Sequence, residues 1–230
     1  MDQILLVNEI FRSLQGEGYL TGVPTSFLRL QGCNLACKYC DTLYASRGLD
    51  QGTRMSMKDV IDQIRILPTR LGNWICITGG EPLLQEQALN TLINHLYELG
   101  IKTSIETNGS FPVPQWYSKV DSWIPDIKCP SSGEAGQSFD SWLSLRPVDQ
   151  GKFVVGTRED LLFVDRVLRH LGDAVTSTIL VSPSITLKKD GTLTKESREW
   201  LPVVADFCRE TNLRFSLQIH KFIWGQKRGV

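Results

Sequence analysis

Three cysteines within one short segment offer the clearest chemistry in this sequence. Cys33, Cys37 and Cys40 are separated by three and then two residues, so a single loop can bring three thiolates to one point. A tetrahedral zinc site takes four ligands and usually shows a second Cys or His pair, which does not follow here. An iron–sulfur cube is usually held by four cysteines, and three would leave one iron open to a small ligand. The spacing indicates a metal centre, with a zinc knuckle completed by a distant residue and unliganded thiols as alternatives.

A second candidate segment is rich in glycine. Thr78-Gly79-Gly80-Glu81-Pro82 follows the apolar run 74–77 and precedes an apolar-periodic stretch. A strand, two glycines and a helix in that order place backbone N–H groups at a helix N-terminus, which is a ready site for a carboxylate. A Gly-Gly pair alone is a weak signal, and it gains weight from following the three cysteines by about forty residues.

Other polar residues suggest ligand contacts of distinct kinds. Arg29 alternates with the apolar Leu28 and Leu30 in a predicted strand, and it is either a solvated residue or a guanidinium fork for a carboxylate. Asp41 and Thr42 directly after the cysteine loop carry the hard oxygens that Mg²⁺ prefers. Without that context, Asp-Thr would be an ordinary turn or helix cap.

The elements that must position these residues alternate between strand and helix about six times. Such alternation predicts an α/β fold with a parallel sheet and right-handed crossovers. A full eight-fold barrel needs ~250 residues, so we expect a partial, open TIM-like barrel of about six βα units. The candidate sites would then share one rim, because each follows a strand. Predicted strands are 4–12, 25–30, 74–77, 102–106, 152–155, 178–181 and 214–219, and residues 123–128 are predicted as the end of another strand. Predicted helices are 56–67, with Ser56 as its cap, 83–99, 160–171 and 195–211.

Length and composition limit the classes of protein. The 230 residues predict a single domain over 1–230, with a loop insertion at 128–150 that packs Phe139 and Trp142. Lys+Arg and Asp+Glu both number 25, and this balance argues against nucleic acid as a partner. The start Met1-Asp2-Gln3 is polar and no 18-residue apolar run follows, so we expect no membrane span and a cytoplasmic, reducing location. Cys76 and Cys208 are expected to be buried core thiols.

The cysteine spacing resembles the signature of the radical S-adenosylmethionine (SAM) enzymes, and further motifs narrow the resemblance to the 7-carboxy-7-deazaguanine synthase family. The similarity spans nearly the whole chain. The matching segments are Leu-Gln-Gly-Glu-Gly at 14–18, Phe-Leu-Arg-Leu-Gln-Gly-Cys-Asn-Leu at 27–35, Cys-Asp-Thr at 40–42, Thr-Gly-Gly-Glu-Pro at 78–82, Glu-Thr-Asn-Gly at 106–109 and Gln-Ile-His-Lys at 218–221.

This resemblance implies a specific reaction and its cofactors. In the family, SAM chelates the open iron of a [4Fe–4S] cluster, and electron transfer releases a 5′-deoxyadenosyl radical. A hydrogen atom is abstracted from 6-carboxy-5,6,7,8-tetrahydropterin, the ring contracts and ammonia is lost, giving 7-carboxy-7-deazaguanine for queuosine and deazapurine biosynthesis. Mg²⁺, a homodimer and an electron donor such as flavodoxin or ferredoxin are implied as well.

The resemblance also implies roles for individual residues. Cluster ligands would be Cys33, Cys37 and Cys40, and the Mg²⁺ ligand would be Thr42. Contacts to the pterin would come from Leu14, Gln15, Gly16, Arg29 and Thr78. Contacts to SAM would come from Tyr39, Cys40, Asp41, Gly80, Glu81, Asn108, Lys128 and Ser182. Glu17 and Glu106 are expected as candidates for proton transfer.

The sequence departs from the family pattern in two places, and two other functions stay open. Many members show Ser-Pro-Lys where Asp126-Ile127-Lys128 stands here, and many end soon after the His-Lys pair, whereas this chain continues to Val230. One alternative is an activating enzyme for glycyl-radical proteins, which shares the cysteine motif but acts on a protein. The other is a non-enzymatic iron–sulfur or zinc binding module, which has no use for Gly-Gly-Glu-Pro.

Overall fold

The fold is an α/β arrangement of nine strands and six helices in the part of the chain that the structure describes. The computed structural model describes residues 3–48, 51–66, 74–135, 142, 145–172, 177–225 and 227–230. The strands are β1 Ile4–Leu14, β2 Pro24–Leu30, β3 Thr53–Ser56, β4 Trp74–Gly79, β5 Lys102–Thr107, β6 Ser122–Pro125, β7 Gln150–Val155, β8 Thr178–Pro183 and β9 Arg214–Phe215. The helices are α1 Leu43–Ser46, α2 Met57–Ile66, α3 Glu86–Glu98, α4 Arg158–Leu171, α5 Lys195–Thr211 and α6 Ile219–Trp224.

The strands form two sheets that continue one another around an open barrel. Six strands take the order β3-β1-β2-β4-β5-β6, and three take the order β7-β8-β9. Pairing is parallel from β2 through β6 and from β7 through β9. The sheets meet at an isolated parallel bridge between Asp126 and Lys152, beside a 2.8 Å hydrogen bond from the Ile127 N–H to the Lys152 carbonyl. The predicted open, mostly parallel barrel is thereby confirmed.

The first part of the sheet differs from the prediction. β1 pairs antiparallel with β2 on one side and with β3 on the other, so these two strands extend the parallel barrel as a hairpin-like edge. No strand is predicted between the strand 25–30 and the helix 56–67, yet β3 lies there. A pattern of apolar residues does not predict β3, because Thr53 and Arg54 are polar. The strand forms because these two residues pair with the apolar Val7 and Leu6 of β1.

The helix starts follow local hydrogen bonding. The Ser56 hydroxyl accepts from the Asp59 N–H at 3.1 Å before α2, as its position predicts. Thr157 and Asp160 form a reciprocal capping box at the start of α4. The predicted helix 83–99 begins later, because Pro82–Gln85 forms a 3-10 helix, and Leu84 in it is 44% exposed rather than part of the buried face.

Two apolar clusters lie outside the barrel wall, between the sheets and their helices. The larger one contains Trp116, Trp123 and Trp142, with ring centroids of the last two 5.3 Å apart. Such ring pairs add about 0.5–1.5 kcal/mol beyond the area they bury. The smaller cluster packs α4 and α5 against β7 and β8 and includes Cys129 and Cys208. Burial of Cys208 is thus confirmed.

The predicted insertion at 128–150 is described only in part. Trp142 is buried and donates from Nε1 to the Phe111 carbonyl at 2.7 Å, as expected for a packed insertion. Phe139 and the residues around it lie outside the described residues, so the insertion and its boundaries stay a prediction. No helix among the described residues is long and apolar enough to cross a membrane.

Candidate active site

The cysteine loop follows β2 and is fastened on several sides. The Gly32 N–H donates to the Ala45 carbonyl at 2.7 Å, which folds α1 back onto the loop. On the far side, the Lys38 N–H donates to the Ser132 carbonyl at 2.9 Å. The Tyr39 hydroxyl reaches the Val154 carbonyl of β7 at 3.3 Å. The loop is therefore held between both sheets.

All three cysteines of this loop are free thiols with partial exposure. Burial raises the pKa of Cys33 and of Cys37, and each is raised further by the Cys40 thiol nearby. The Cys33 sulfur accepts from the Leu35 N–H at 3.4 Å, which favours its thiolate form. Within the described residues, no group of three or more His, Cys, Asp or Glu side chains is arranged to hold a metal ion. The loop thus supplies three neighbouring thiols, while their convergence on one point stays a prediction.

The glycines at 79 and 80 serve close packing rather than anion binding. A Cβ on Gly79 would lie 2.2 Å from the Leu30 carbonyl oxygen, and one on Gly80 would lie 2.0 Å from the Gly32 carbonyl oxygen. The N–H groups of Gly80 and Glu81 donate to those same carbonyls at 3.1 and 2.7 Å. The expectation that these N–H groups bind a ligand carboxylate is therefore wrong, because the carbonyls of Leu30 and Gly32 already accept from them.

Glu81 is fully buried and its carboxylate is committed to the protein. Oε1 accepts from the Leu83 N–H at 2.9 Å and from the Thr107 hydroxyl at 2.8 Å, and Oε2 accepts from the Asn108 N–H at 2.6 Å. Burial raises the pKa of this carboxyl group, although all three donors oppose that. Asn108 in turn donates from Nδ2 toward Cys33 Sγ at 3.7 Å. Glu81 thus positions a neighbour of the cysteine loop.

A group of polar side chains, called the pocket below, lies on the face of β2, β4 and β5 opposite the larger apolar cluster. Glu106 on β5 accepts from the Thr78 hydroxyl at 3.0 Å and from Gln15 Nε2 at 3.2 Å. Cys76 lies 3.6 Å from both Glu106 Oε1 and Gln15 Nε2. Cys76 is buried as expected, but it belongs to this polar layer and not to an apolar core.

Arg29 faces the same pocket with most of its donors available. Its Nε donates to Glu9 Oε1 at 2.8 Å, and its side chain is 14% exposed. Among the described residues its two terminal nitrogens have no hydrogen-bond partner. The reading of Arg29 as a solvated strand residue is thus wrong, whereas a guanidinium fork that faces a carboxylate fits its placement.

The loop after β1 closes one side of the pocket. Leu14 ends β1 and is half-buried, and the Gln15 carboxamide oxygen accepts from the Gly16 N–H at 2.7 Å. A Cβ on Gly16 would lie 2.1 Å from His220 Nδ1. Any side chain at position 16 would collide with this imidazole, which explains why a glycine occupies the position. Burial lowers the pKa of His220.

Asp126 and Lys128 lie at the seam between the sheets, and Ser182 lies on β8, next to β7. Lys128 Nζ is 2.8 Å from Asp126 Oδ2, and both side chains are largely buried. The positive charge of Lys128 also acts on Cys37. Within the described residues, the buried Ser182 hydroxyl and Asp126 Oδ1 have no hydrogen-bond partner. Buried polar groups without partners are uncommon and mark places where a ligand can supply the missing bond.

Asp41 and Thr42 occupy the end of the cysteine loop. Asp41 pairs with Lys221 at 2.9 Å while its side chain stays 47% exposed. Partial burial raises the pKa of Asp41, but Lys221 outweighs it and the net direction is downward. The Thr42 hydroxyl lies 3.7 Å from Cys40 Sγ. Both oxygens are accessible from the loop that carries the thiols.

Sequence reasoning missed one residue of this site, Lys152, which forms a 2.6 Å ion pair with Glu17. The strand 152–155 is predicted, but only the barrel register shows that Lys152 points inward while Phe153 packs outward. The sequence does contain one signal for this residue, because Lys152 is a lysine at the start of the otherwise apolar run 152–155. His220 belongs to the motif at 218–221 and would directly follow the predicted strand 214–219, whereas the structure places it in α6.

Comparisons with known proteins agree with this architecture. The Radical SAM superfamily model matches residues 28–123. The 7-carboxy-7-deazaguanine synthase of Koribacter versatilis is 38% identical over 228 residues, covering 95% of this chain and 96% of the relative. The enzyme of that name from Methanospirillum hungatei is 38% identical over 219 residues, covering 94% and 84%. The crystal structure of QueE from Escherichia coli superposes with a TM-score of 0.71 at 28% identity and covers 94% of each chain.

Proposed function

This chain belongs to the 7-carboxy-7-deazaguanine synthase family of radical SAM enzymes, and from that premise we propose that its pocket converts 6-carboxy-5,6,7,8-tetrahydropterin to 7-carboxy-7-deazaguanine. Ammonia leaves in this reaction. The observation that carries the proposal is the pocket itself, in which Arg29 pairs in register with Thr78, and Thr78 in turn bonds Glu106.

The pocket matches a small, planar anion with many polar edges. Arg29 would take the pterin carboxylate through its terminal nitrogens, because a planar fork binds a carboxylate by two parallel hydrogen bonds. Gln15, Thr78 and Glu106 would meet ring nitrogens and the carbonyl group. Leu14 and Gly16 would border the ring, where the small glycine leaves room for His220.

The residues near the loop fit the cofactors of the family. Cys33, Cys37 and Cys40 would hold the [4Fe–4S] cluster, and when bound, the cluster and SAM supply the one-electron chemistry that starts the reaction. The unpartnered Ser182 hydroxyl and the Lys128 ammonium are suited to the polar end of SAM. Tyr39, Cys40, Asp41 and Gly80 would border it. Glu81 would act through Asn108, because its own oxygens are occupied.

Thr42 would contribute its hydroxyl to a magnesium ion, which would supply positive charge to offset that of the substrate carboxylate. Mg²⁺ prefers oxygen ligands and keeps several waters, so one protein hydroxyl next to a bound carboxylate suffices. The proposal further includes an electron donor such as flavodoxin or ferredoxin, a homodimer and a cytoplasmic location. Light scattering of the purified protein tests the dimer.

The test of the activity is anaerobic turnover. The protein is reconstituted with iron and sulfide and then given reductant, SAM, Mg²⁺ and 6-carboxytetrahydropterin. Mass spectrometry should show 7-carboxy-7-deazaguanine and 5′-deoxyadenosine. Deoxyadenosine without the deazaguanine would overturn the substrate and favour the activation of a glycyl-radical protein. Neither product from fully loaded protein would favour a binding module.

Two cysteine variants form a matched pair for this test. Cys37→Ala removes a thiol of the loop and should abolish both products together with most of the bound iron. Cys208→Ala removes a buried thiol of α5 and should keep iron content and both products. Equal iron loss in the two variants would contradict the assignment of the loop.

A further inference from the structure

Arg228, which lies far along the chain from the residues of the pocket, contacts two side chains beside it. Arg228 Cζ lies 3.7 Å from the centroid of the Tyr44 ring, and its Nη2 donates to Asn8 Oδ1 at 3.2 Å. We propose that Arg228 is a positioning residue for substrate binding, which orients Arg29 through Tyr44 and Glu9. The inference rests on the proposed function, because it assigns the carboxylate of the substrate to Arg29.

The connection from Arg228 to Arg29 runs through one carboxylate oxygen. The Tyr44 hydroxyl donates to Glu9 Oε1 at 3.2 Å, and Arg29 Nε donates to the same oxygen at 2.8 Å. The Arg29 guanidinium also lies 5.8 Å from the Tyr44 ring centroid. Holding the Tyr44 ring therefore fixes the acceptor that sets the direction of the Arg29 fork.

Electrostatics favours this arrangement. Two guanidinium groups beside one tyrosine ring are each attracted to its face. The Tyr44 hydroxyl is the donor in its hydrogen bond to Glu9, so the ring is held at its face by the cations and at its hydroxyl by the carboxylate.

The segment that ends in Arg228 is fastened at three points before it reaches Tyr44. Gln218 Nε2 donates to Glu17 Oε1 at 2.7 Å, the Ile219 N–H donates to the Gly16 carbonyl at 3.1 Å, and Lys221 pairs with Asp41 at 2.9 Å. Its partners belong to the loop after β1 and to the end of the cysteine loop. These contacts anchor the residues that precede Arg228 beside the pocket. Arg228 therefore contacts Tyr44 from an anchored segment.

Steady-state kinetics with a neighbouring control tests the role. Arg228→Ala should raise KM for the pterin about two- to fivefold, the range of a cation–π contact at an exposed site, with kcat and KM for SAM unchanged. Arg228→Lys keeps the charge but lacks the planar fork and should recover part of the loss. Lys227→Ala removes an exposed charge one residue away and should leave all constants unchanged.

A double-mutant cycle separates positioning from a general charge effect. In a Tyr44→Leu background, Arg228→Ala should have no further effect on KM, because the route to Arg29 is already removed. Hydrogen exchange supplies a readout without substrate: Arg228→Ala should speed exchange in α1, which carries Tyr44, and Lys227→Ala should not.

The outcomes distinguish this inference from the proposed function. If the unaltered protein forms no deazaguanine, both fall together. If it is active and Arg228→Ala behaves like Lys227→Ala in KM or in exchange, the positioning role alone is overturned. Equal rises in KM for the pterin and for SAM would also overturn it.

Discussion

Lys152 Nζ lies 2.6 Å from Glu17 Oε2 inside the open barrel, and the two side chains are only 11% and 12% exposed. The pair joins β7 to the loop after β1. Burial alone would raise the pKa of Glu17 and lower that of Lys152, but their attraction prevails in both cases. The pKa of Glu17 therefore lies below its ordinary value, and that of Lys152 lies above it.

These shifts predict how stability depends on pH. The pair should contribute fully between the ordinary values of 4.5 for Glu17 and 10.5 for Lys152. The contribution should vanish as pH falls through the lower native pKa of Glu17, where the unfolded chain binds the proton first, and as pH rises through the higher native pKa of Lys152. Urea unfolding across pH checks this. A Glu17→Gln/Lys152→Met variant should lose these two slopes.

Removing one partner of the pair should cost more than removing both. Lys152→Met leaves the buried Glu17 charge without its cation, and we expect a loss of about 3–5 kcal/mol in the free energy of unfolding. The double variant should be more stable than the single one. Lys58→Met breaks an exposed ion pair with Asp62 and serves as control with little expected change. A single variant as stable as the double variant would contradict the pairing.

Glu81→Gln should weaken the support of the cysteine loop. The amide replaces one accepting oxygen with a donor that faces a backbone N–H of Leu83 or Asn108, which costs about 1–3 kcal/mol for an unsatisfied buried group. We expect lower unfolding stability and less bound iron after reconstitution. Glu86→Gln, in the exposed first turn of α3, should leave both unchanged. Full iron binding by Glu81→Gln would refute the positioning role.

Gly80→Ala should separate β4 from the start of the cysteine loop. The added methyl would lie 2.0 Å from the Gly32 carbonyl oxygen and 2.9 Å from the Cys33 nitrogen, so backbone has to move. Iron content after reconstitution should fall, and thermal unfolding should occur at lower temperature. Gly22→Ala meets no atom within 4 Å but places an alanine at a φ of +84°, so it should lower thermal stability and still retain iron. Normal iron content in Gly80→Ala would show that the loop tolerates the shift.

Thr42→Ala should reduce the response of turnover to Mg²⁺ while the bound iron stays constant. The hydroxyl is the proposed protein ligand, and its removal leaves only water and substrate oxygens for the ion. Initial rates at increasing Mg²⁺ measure the effect. Ser46→Ala removes another hydroxyl of the same short segment and is the control. An unchanged Mg²⁺ response in Thr42→Ala would remove this residue from the metal site.

Local motifs could be predicted from the sequence because their chemistry lies in adjacent residues. The spacing of Cys33, Cys37 and Cys40 and the alternation of strands with α3, α4 and α5 need no distant partner. The open barrel followed from length and alternation. Even the glycines at 79 and 80 were identified as important, although the physical reason was close packing against β2 and not anion binding.

The remaining features depend on contacts between distant residues. Lys152 points into the barrel because of the register of its strand. A polar strand such as β3 forms only because β1 pairs with it. The predicted last strand 214–219 shrinks to two residues, since the chain turns to bring Gln218 onto Glu17 and Ile219 onto Gly16. Neither the strand propensity of single residues nor the spacing of apolar residues predicts these long-range contacts.

The seam at Asp126 and Lys152 is also the place where the fewest backbone contacts join the barrel wall. Elsewhere adjacent strands share a ladder of two or more residue pairs, but among the described residues the two sheets meet through one isolated bridge. Fewer backbone hydrogen bonds would therefore have to break to open the wall here than along those ladders. Lys128 and Lys152 lie on the two sides of this joint, so an opening there would change the distance between two buried cations.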